Sequence, residues 1–182
     1  MHRALARLAP LTLLALAAAA QPQTIPAPDV PDPIKAPPGE RVVLRTQASG
    51  VQIYVCGHAA DGAAQWTLKA PEAMLHDGAG NLVGHHSAGP TWTYKDGSAV
   101  TGKSVAHLDA LDPGAIPWLR VEVTSHAGKG LFEHVTTVQR IRTRGGEPPQ
   151  AASCTPANQY EESRVPYSAD YYFYAPEPAA AP

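Results

Sequence analysis

From residue 39 to residue 174 the chain repeats one local pattern. Short runs of alternating apolar and polar residues are punctuated by Gly, Pro, Asp and Asn. Successive side chains of a strand point to opposite faces, so this alternation reads as strands with one buried face. Val51, Ile53 and Val55 share a face opposite Gln52, Tyr54 and Cys56. Trp66, Leu68 and Ala70 alternate with Thr67 and Lys69, and Leu119, Val121 and Val123 alternate with Arg120 and Glu122. Val42 to Thr46 reads as a first strand. Asp77-Gly78 and Asp96-Gly97 each separate two extended runs, the signature of a tight hairpin turn that needs positive φ. Gly128 and Gly130 mark a further turn. The run Leu131 to Thr143 also fits helical spacing through Leu131, Val135, Val138 and Ile141. Its β-branched Val135, Thr136, Thr137, Val138 and Thr143 favour strand. Residues 104 to 113 read as a short turn of helix before Pro113. Val165 to Tyr174 reads as a last strand, with Tyr167, Ala169, Tyr171 and Phe173 on one face and Ser168, Asp170, Tyr172 and Tyr174 on the other. The expected fold is all-β: a single antiparallel β-sandwich or β-barrel of about 8–10 short strands.

The first twenty residues read as a signal peptide. Arg3 and Arg7 form a basic region, Leu8 to Ala17 is apolar, and Ala18, Ala19 and Ala20 supply a small-residue cleavage site. That apolar run is shorter than the about 20 residues a spanning helix needs, and no later segment is a candidate span. The expected location is therefore exported, periplasmic or secreted, with no integral membrane segment after cleavage. Residues 21–38 hold seven prolines and read as an extended Pro-rich arm outside the core. The β domain is expected over 39–174, with a Pro/Ala tail at 175–182.

Cys56 and Cys154 are the two cysteines, 98 residues apart. In an oxidising compartment they are expected to pair as one disulfide. The polar stretch Gly145 to Ser163 reads as a long loop that this bond would pin to the strand at Cys56. Two cysteines cannot form a four-cysteine zinc site, and no C-x-x-C is present. The formal net charge is −2, and cleavage after Ala20 removes two arginines and no acid. A surface of that sign gives no reason to expect nucleic acid or an anionic membrane as partner.

Chemistry-bearing residues are scattered. His85 and His86 are adjacent and would point to opposite faces of a strand, so at most one joins a given site. A site assembled from His58, His85, His86 and His134 on different strands would suit zinc or copper. Separate surface or hydrogen-bonded histidines are the plainer reading, since no pair has a zinc-motif spacing. Ser87 beside these histidines, with Asp170 as orienter, lacks the G-x-S-x-G elbow of a hydrolase. Trp66, Trp92 and Trp118 read as core residues. Tyr172 and Tyr174, beside Asp170, could stack on sugar rings and bond hydroxyls; with Trp92 and His85 they form the candidate ligand site. The plainer reading is that tyrosine is a good strand residue.

Taken in order, these segments resemble the exported domain-of-unknown-function 3455 family. The carriers are Gly50-Val51-Gln52-Ile53-Tyr54 with Cys56, then Trp66, Leu68 and Pro71-Glu72-Ala73. Gly84-His85, Gly89-Pro90-Thr91-Trp92, Asp96-Gly97-Ser98 and Ile116-Pro117-Trp118-Leu119 follow. Val138-Gln139-Arg140, Thr143, Gly145-Gly146, Cys154 and Val165-Pro166-Tyr167 through Tyr174 complete the match. The resemblance brings no established activity, catalytic residues or cofactor to carry over. A dehydrogenase label carried by some fungal relatives finds no support here, because no G-x-G-x-x-G follows a strand and no βαβ pattern is present. The functional expectation is an exported, non-catalytic β domain that binds a small molecule, a glycan or an envelope partner. The alternatives are a His-based metal-binding protein or metal-dependent enzyme, and a structural envelope protein.

Overall fold

The computed structural model describes residues 24–178. The signal-peptide expectation and the end of the Pro/Ala tail lie outside the described residues. Eight strands follow one another around a closed antiparallel barrel: β1 (Glu40–His58), β2 (Ala64–His76), β3 (Leu82–Ser87), β4 (Thr91–Tyr94), β5 (Ala99–Leu108), β6 (Trp118–Ala127), β7 (Thr137–Gly145) and β8 (Glu162–Pro176). Each strand pairs with its neighbours in sequence, and β8 closes on β1 from Glu40↔Pro176 to Val55↔Glu162. Closure leaves a sheet with no free outer strand.

Several runs that read as separate strands are continuous. Val42 to Thr46 and Val51 to Cys56 belong to β1, and Trp66 to Ala70 and Met74-Leu75 belong to β2. Gly50 lies between the first two because β2 runs close beside it. A Cβ there would stand 2.1 Å from the Glu72 carbonyl oxygen. The buried face of β1 is not the one its aliphatic residues suggest. Gln52, Tyr54 and Cys56 are buried, while Val51 and Val55 are only half-buried, and the pairing with β2 shifts between Ile53 and Tyr54. The extra residue at that shift is Lys69 of β2, so β1 keeps its own alternation, and Gln52, Tyr54 and Cys56 continue the buried row begun by Thr46 and Ala48.

The loops correct three expectations. Asp77-Gly78 does not make a two-residue turn: the connection runs over 77–81, held by Asp77 Oδ1 accepting from the Ala79 and Asn81 amides, and Gly80 carries the positive φ. Residues 131–136 are not strand. Leu131, Phe132 and Val135 form a plug in one end of the barrel, and β7 begins only at Thr137. The segment read as a short helix before Pro113 is strand as far as Leu108. The Asp96-Gly97 turn is as expected, with Gly97 at φ 88°.

The interior is filled by Tyr167, Tyr171 and Phe173 of β8, Trp92 of β4, and Leu75, Val83, Val100, Val121 and Val138 from the other walls. The opposite face of β8 does not meet solvent. Tyr172 and Tyr174, with Val42 and Ile141, form a second apolar cluster with Val30 and Ile34 of the Pro-rich segment. That segment is therefore part of the fold and not a loose arm. Ile34 is fully buried in a short 3-10 turn (Asp32–Ile34), its carbonyl accepts from Gln139 Nε2 at 2.5 Å, and Ile25 bridges to Val42. The mechanism is simple: an aromatic outer face needs an apolar cover, and Val30 and Ile34 are the large apolar residues that the prolines set apart. At the other terminus Ala175 is buried and paired with Arg41, so the sheet reaches past the expected domain end at 174.

Cys56 and Cys154 are bonded, Cα atoms 5.3 Å apart. The loop between β7 and β8 is ordered by this bond and by the Cys56 and Tyr160 amides, which donate to Glu161 and Cys56 carbonyls respectively. Trp66, expected in the core, is only half-buried and donates Nε1 to Ser153 Oγ of that loop at 2.9 Å. Trp118 is likewise half-buried, packed against the second cluster. Among the described residues no helix is long and apolar enough to cross a membrane.

Candidate functional site: a cavity in the barrel wall

The β3–β4 hairpin is shorter than the strands on either side of it. β2 pairs with β3 only over Ala73–His76, and β5 pairs with β4 only over Ala99–Thr101. Beyond the hairpin tip at Gly89-Pro90 the facing stretches of β2 and β5 have no intervening strand among the described residues. The wall is therefore notched, and a cavity of about 340 Å³ opens through the notch into the interior. Leu68 to Pro71 and Ser104 line its rim, and Gln52, His86, Trp92, Arg140 and Tyr171 line its depth. An eight-stranded barrel has an interior just wide enough for side chains or one small ligand. Here both occur, the plug at one end and the cavity towards the other.

The hairpin is held close by Gly84, where a Cβ would lie 2.3 Å from the Thr93 carbonyl oxygen. This close approach fixes the neighbouring histidines. His85 is exposed on the outer face and His86 is buried on the inner face, so the pair splits as the strand geometry requires. The His86 ring stacks on Trp92 with centroids 4.4 Å apart and planes 5° from parallel, and meets the edge of Tyr171 at 5.4 Å. Its Nδ1 lies 2.9 Å from the Thr91 carbonyl oxygen. A carbonyl only accepts, so Nδ1 carries the proton of the neutral ring and Nε2 keeps a lone pair. Burial, against the partial offset of that hydrogen bond, pushes the His86 pKa down to about 4. The ring is neutral at physiological pH.

The remaining polar groups are mostly donors. Gln52 Nε2, Trp92 Nε1 and the hydroxyls of Tyr167 and Tyr171 are buried without a well-formed hydrogen bond among the described residues, although Tyr167, Arg140 and Trp92 all lie near enough to the Tyr171 hydroxyl to act on it as hydrogen-bond neighbours. Arg140 donates Nε and Nη2 to the Pro117 carbonyl and lies beside the Tyr171 hydroxyl. Burial raises both phenols above their ordinary range, with Tyr171 also raising Tyr167, so each hydroxyl keeps its proton. Buried polar atoms are nearly always paired, and a group of them at one cavity calls for an explanation. Gln52, Arg140 and Tyr171 were not singled out in the sequence. The signal that could have found them is their shared inner face, which becomes visible only once strand register is known.

The other expected site residues are dispersed. Tyr172 and Tyr174 lie under the Pro-rich segment, with the Tyr174 hydroxyl donating to Gln139 Oε1. Both rings are buried there and show no open stacking face. Asp170 is on their side of β8 but pairs with Arg45 and Arg142. Trp92 belongs to the interior and His85 to the outer surface, so the five candidate ligand residues do not share one site. The His58, His85, His86 and His134 grouping is not assembled either. His58 is exposed at the end of β1 beside Gln159, His134 is exposed on the plug segment, and no group of three His, Cys, Asp or Glu able to hold a metal occurs among the described residues.

Fold and site together define an eight-stranded antiparallel barrel with a lateral, donor-lined cavity. The chain belongs to the family described as protein of unknown function DUF3455, whose model matches residues 37–175. No curated protein and no solved structure matches it.

Proposed function

We propose that the protein is an exported binding protein that takes a small, flat, largely apolar molecule bearing hydrogen-bond acceptors into the lateral cavity. The observation that carries this is the set of buried donors without a well-formed hydrogen bond, Gln52 Nε2 and Trp92 Nε1 with the Tyr171 hydroxyl, around an aromatic wall. Ligand sites combine such apolar walls with a few convergent polar groups, and the volume falls at the small end of their range. An acceptor atom on the guest would give these donors the well-formed partner that their donor-rich neighbours do not supply. Export is supported by the disulfide, which persists in oxidising compartments, and by the signal-peptide pattern of residues 1–20.

Ala70→Trp tests the reading. Ala70 is a half-buried rim residue, so an indole there obstructs the notch without entering the packed interior. Ligand-observed NMR with benzoate, indole-3-acetate and 4-hydroxybenzaldehyde as probes should show saturable binding to the native protein and none to the variant. Equal binding to both, or none to either, would overturn the cavity reading.

A further inference from the structure

On the far side of β8 from the interior, beside the buried Tyr172 and Tyr174, Asp170 belongs to a different, open surface. β7 departs from regular pairing between Ile141, opposite Asp170, and Arg144, opposite Ser168. Two residues, Arg142 and Thr143, oppose the single residue between them, which makes a β-bulge. Arg142 sits there at φ 49°, a left-handed conformation that a long side chain seldom adopts and that glycine would hold without strain. Strict alternation from Arg140, which faces the cavity, would turn Arg142 inward. The bulge turns it outward instead, onto Asp170 Oδ2 at 2.5 Å, where Arg45 of β1 also donates from 3.0 Å. Bulges that re-aim a side chain, and non-glycine residues held left-handed, recur at functional sites.

The outcome is an open groove on the β1–β8–β7 wall. Its register is set by the ladder: Ser49 faces Ser168, which faces Arg144, and one row on Gln47 faces Asp170. Three guanidiniums, Arg45, Arg142 and Arg144, line this groove with a single carboxylate, Asp170. The side chains of Arg45 and Arg142 remain about half exposed despite their ion pairs, and Arg144 has no carboxylate within ion-pair distance among the described residues. A chain of formal charge −2 thus collects three like charges in one concave place. Asp170 and the Tyr172 ring, on which Arg45 and Arg142 both lie, hold two of them in place, but one carboxylate leaves two positive charges unbalanced.

We propose that this groove is an anion site for a dianionic oxyanion of the phosphate-monoester type. The excess of three guanidiniums over one carboxylate matches a dianion better than a carboxylate ligand. The guanidinium forks of Arg142 and Arg144 suit bidentate contact with tetrahedral oxyanions, and the Ser49 and Ser168 hydroxyls add donors in the same rows. The site is separate from the lateral cavity, which opens between β2 and β5.

The test uses the disulfide-bonded protein in isothermal titrations with inorganic phosphate, sulfate and acetate at matched ionic strength. Phosphate and sulfate should bind saturably and acetate at least about tenfold more weakly. Arg144→Gln, an exposed change that leaves the bulge intact, should weaken phosphate binding about tenfold or more, the loss expected for charge-assisted hydrogen bonds. Arg45→Gln should weaken it in the same direction. Ala70→Trp should leave it unchanged, which separates this site from the cavity. Absence of saturable phosphate and sulfate binding, or Arg144→Gln binding equal to native, would overturn the assignment. Sedimentation with phosphatidic acid vesicles, against phosphatidylcholine vesicles, then separates sources: Arg144-dependent pelleting indicates a lipid headgroup, and its absence a soluble phosphate ester.

Discussion

Acidification should unload stability through His86 in a defined window. The ring is 3% exposed, stacked on Trp92 and hydrogen-bonded at Nδ1 to a carbonyl. Burial sets its folded pKa at about 4, against an ordinary value of 6.5. The unfolded chain therefore takes up the proton first as pH falls. The stabilisation is fully present above about pH 6.5 and is lost progressively down to about pH 4, below which the folded ring also protonates. A displacement of about 2.5 units corresponds to about 3 kcal/mol across that window. Replacing the ring with one that cannot titrate isolates the effect. Urea unfolding of native protein and His86→Phe at pH 7.5, 6, 5 and 4 should show the native protein losing about 3 kcal/mol more than the variant. Every other titrating group is common to both proteins and cancels in the difference. Parallel stability curves would refute the reasoning, because they would mean that His86 is already solvated, or charged, in the folded barrel.

Three further outcomes are expected. Ile34→Ala, in the segment that covers Tyr172 and Tyr174, should destabilise by about 2–5 kcal/mol, as large-to-small changes at fully buried sites do; a variant unfolding at the native urea midpoint would show that the cover contributes nothing. Gly50→Ala should cost about 1–3 kcal/mol or more by driving β1 from β2, read as a lowered melting temperature. Reduction of Cys56–Cys154 should lower stability by up to about 4.7 kcal/mol in the chain-entropy picture, measured by thermal melts with and without reductant.

The β class, the two-face pattern of the last strand and the single disulfide were legible because each is local or has one solution. Alternation in Leu119–Val123 survives because the shift inside that stretch puts its extra residue, Val105, on β5, while pairing with β7 is unshifted. In β1 the alternation also survives, but the buried row is Gln52, Tyr54 and Cys56 and not the aliphatic Val51 and Val55. Thr137 to Thr143 is strand as its β-branched residues imply, whereas Leu131 and Val135 are drawn out of strand by a long-range demand, the open end of the barrel. The Pro-rich segment was misread for a related reason. Its proline content describes the backbone correctly, but what Val30 and Ile34 do depends on an outer face 140 residues away in the chain. The cavity could not be read at all, since it arises from a mismatch in strand lengths. His86 was visible as a residue and its role was not, because only the register places it against Trp92.

The disulfide has a consequence for how the barrel assembles. Seven of the eight seams join strands that follow one another along the chain and can zip as hairpins. The eighth, β1 to β8, must gather two segments separated by nearly the whole domain, and its first pair at one end is Val55 with Glu162. Cys56 is the next residue along β1, and Cys154 stands eight residues before Glu162. Once oxidised, the bond turns the most distant encounter in the fold into a short-range one. Where the bond forms ahead of the seam, the long loop-closure entropy is met at the thiol stage. Oxidation thus acts as the starting tooth of the zipper as much as a brace on the finished wall, and a chain folding in a reducing compartment would have to find its last seam by unaided search.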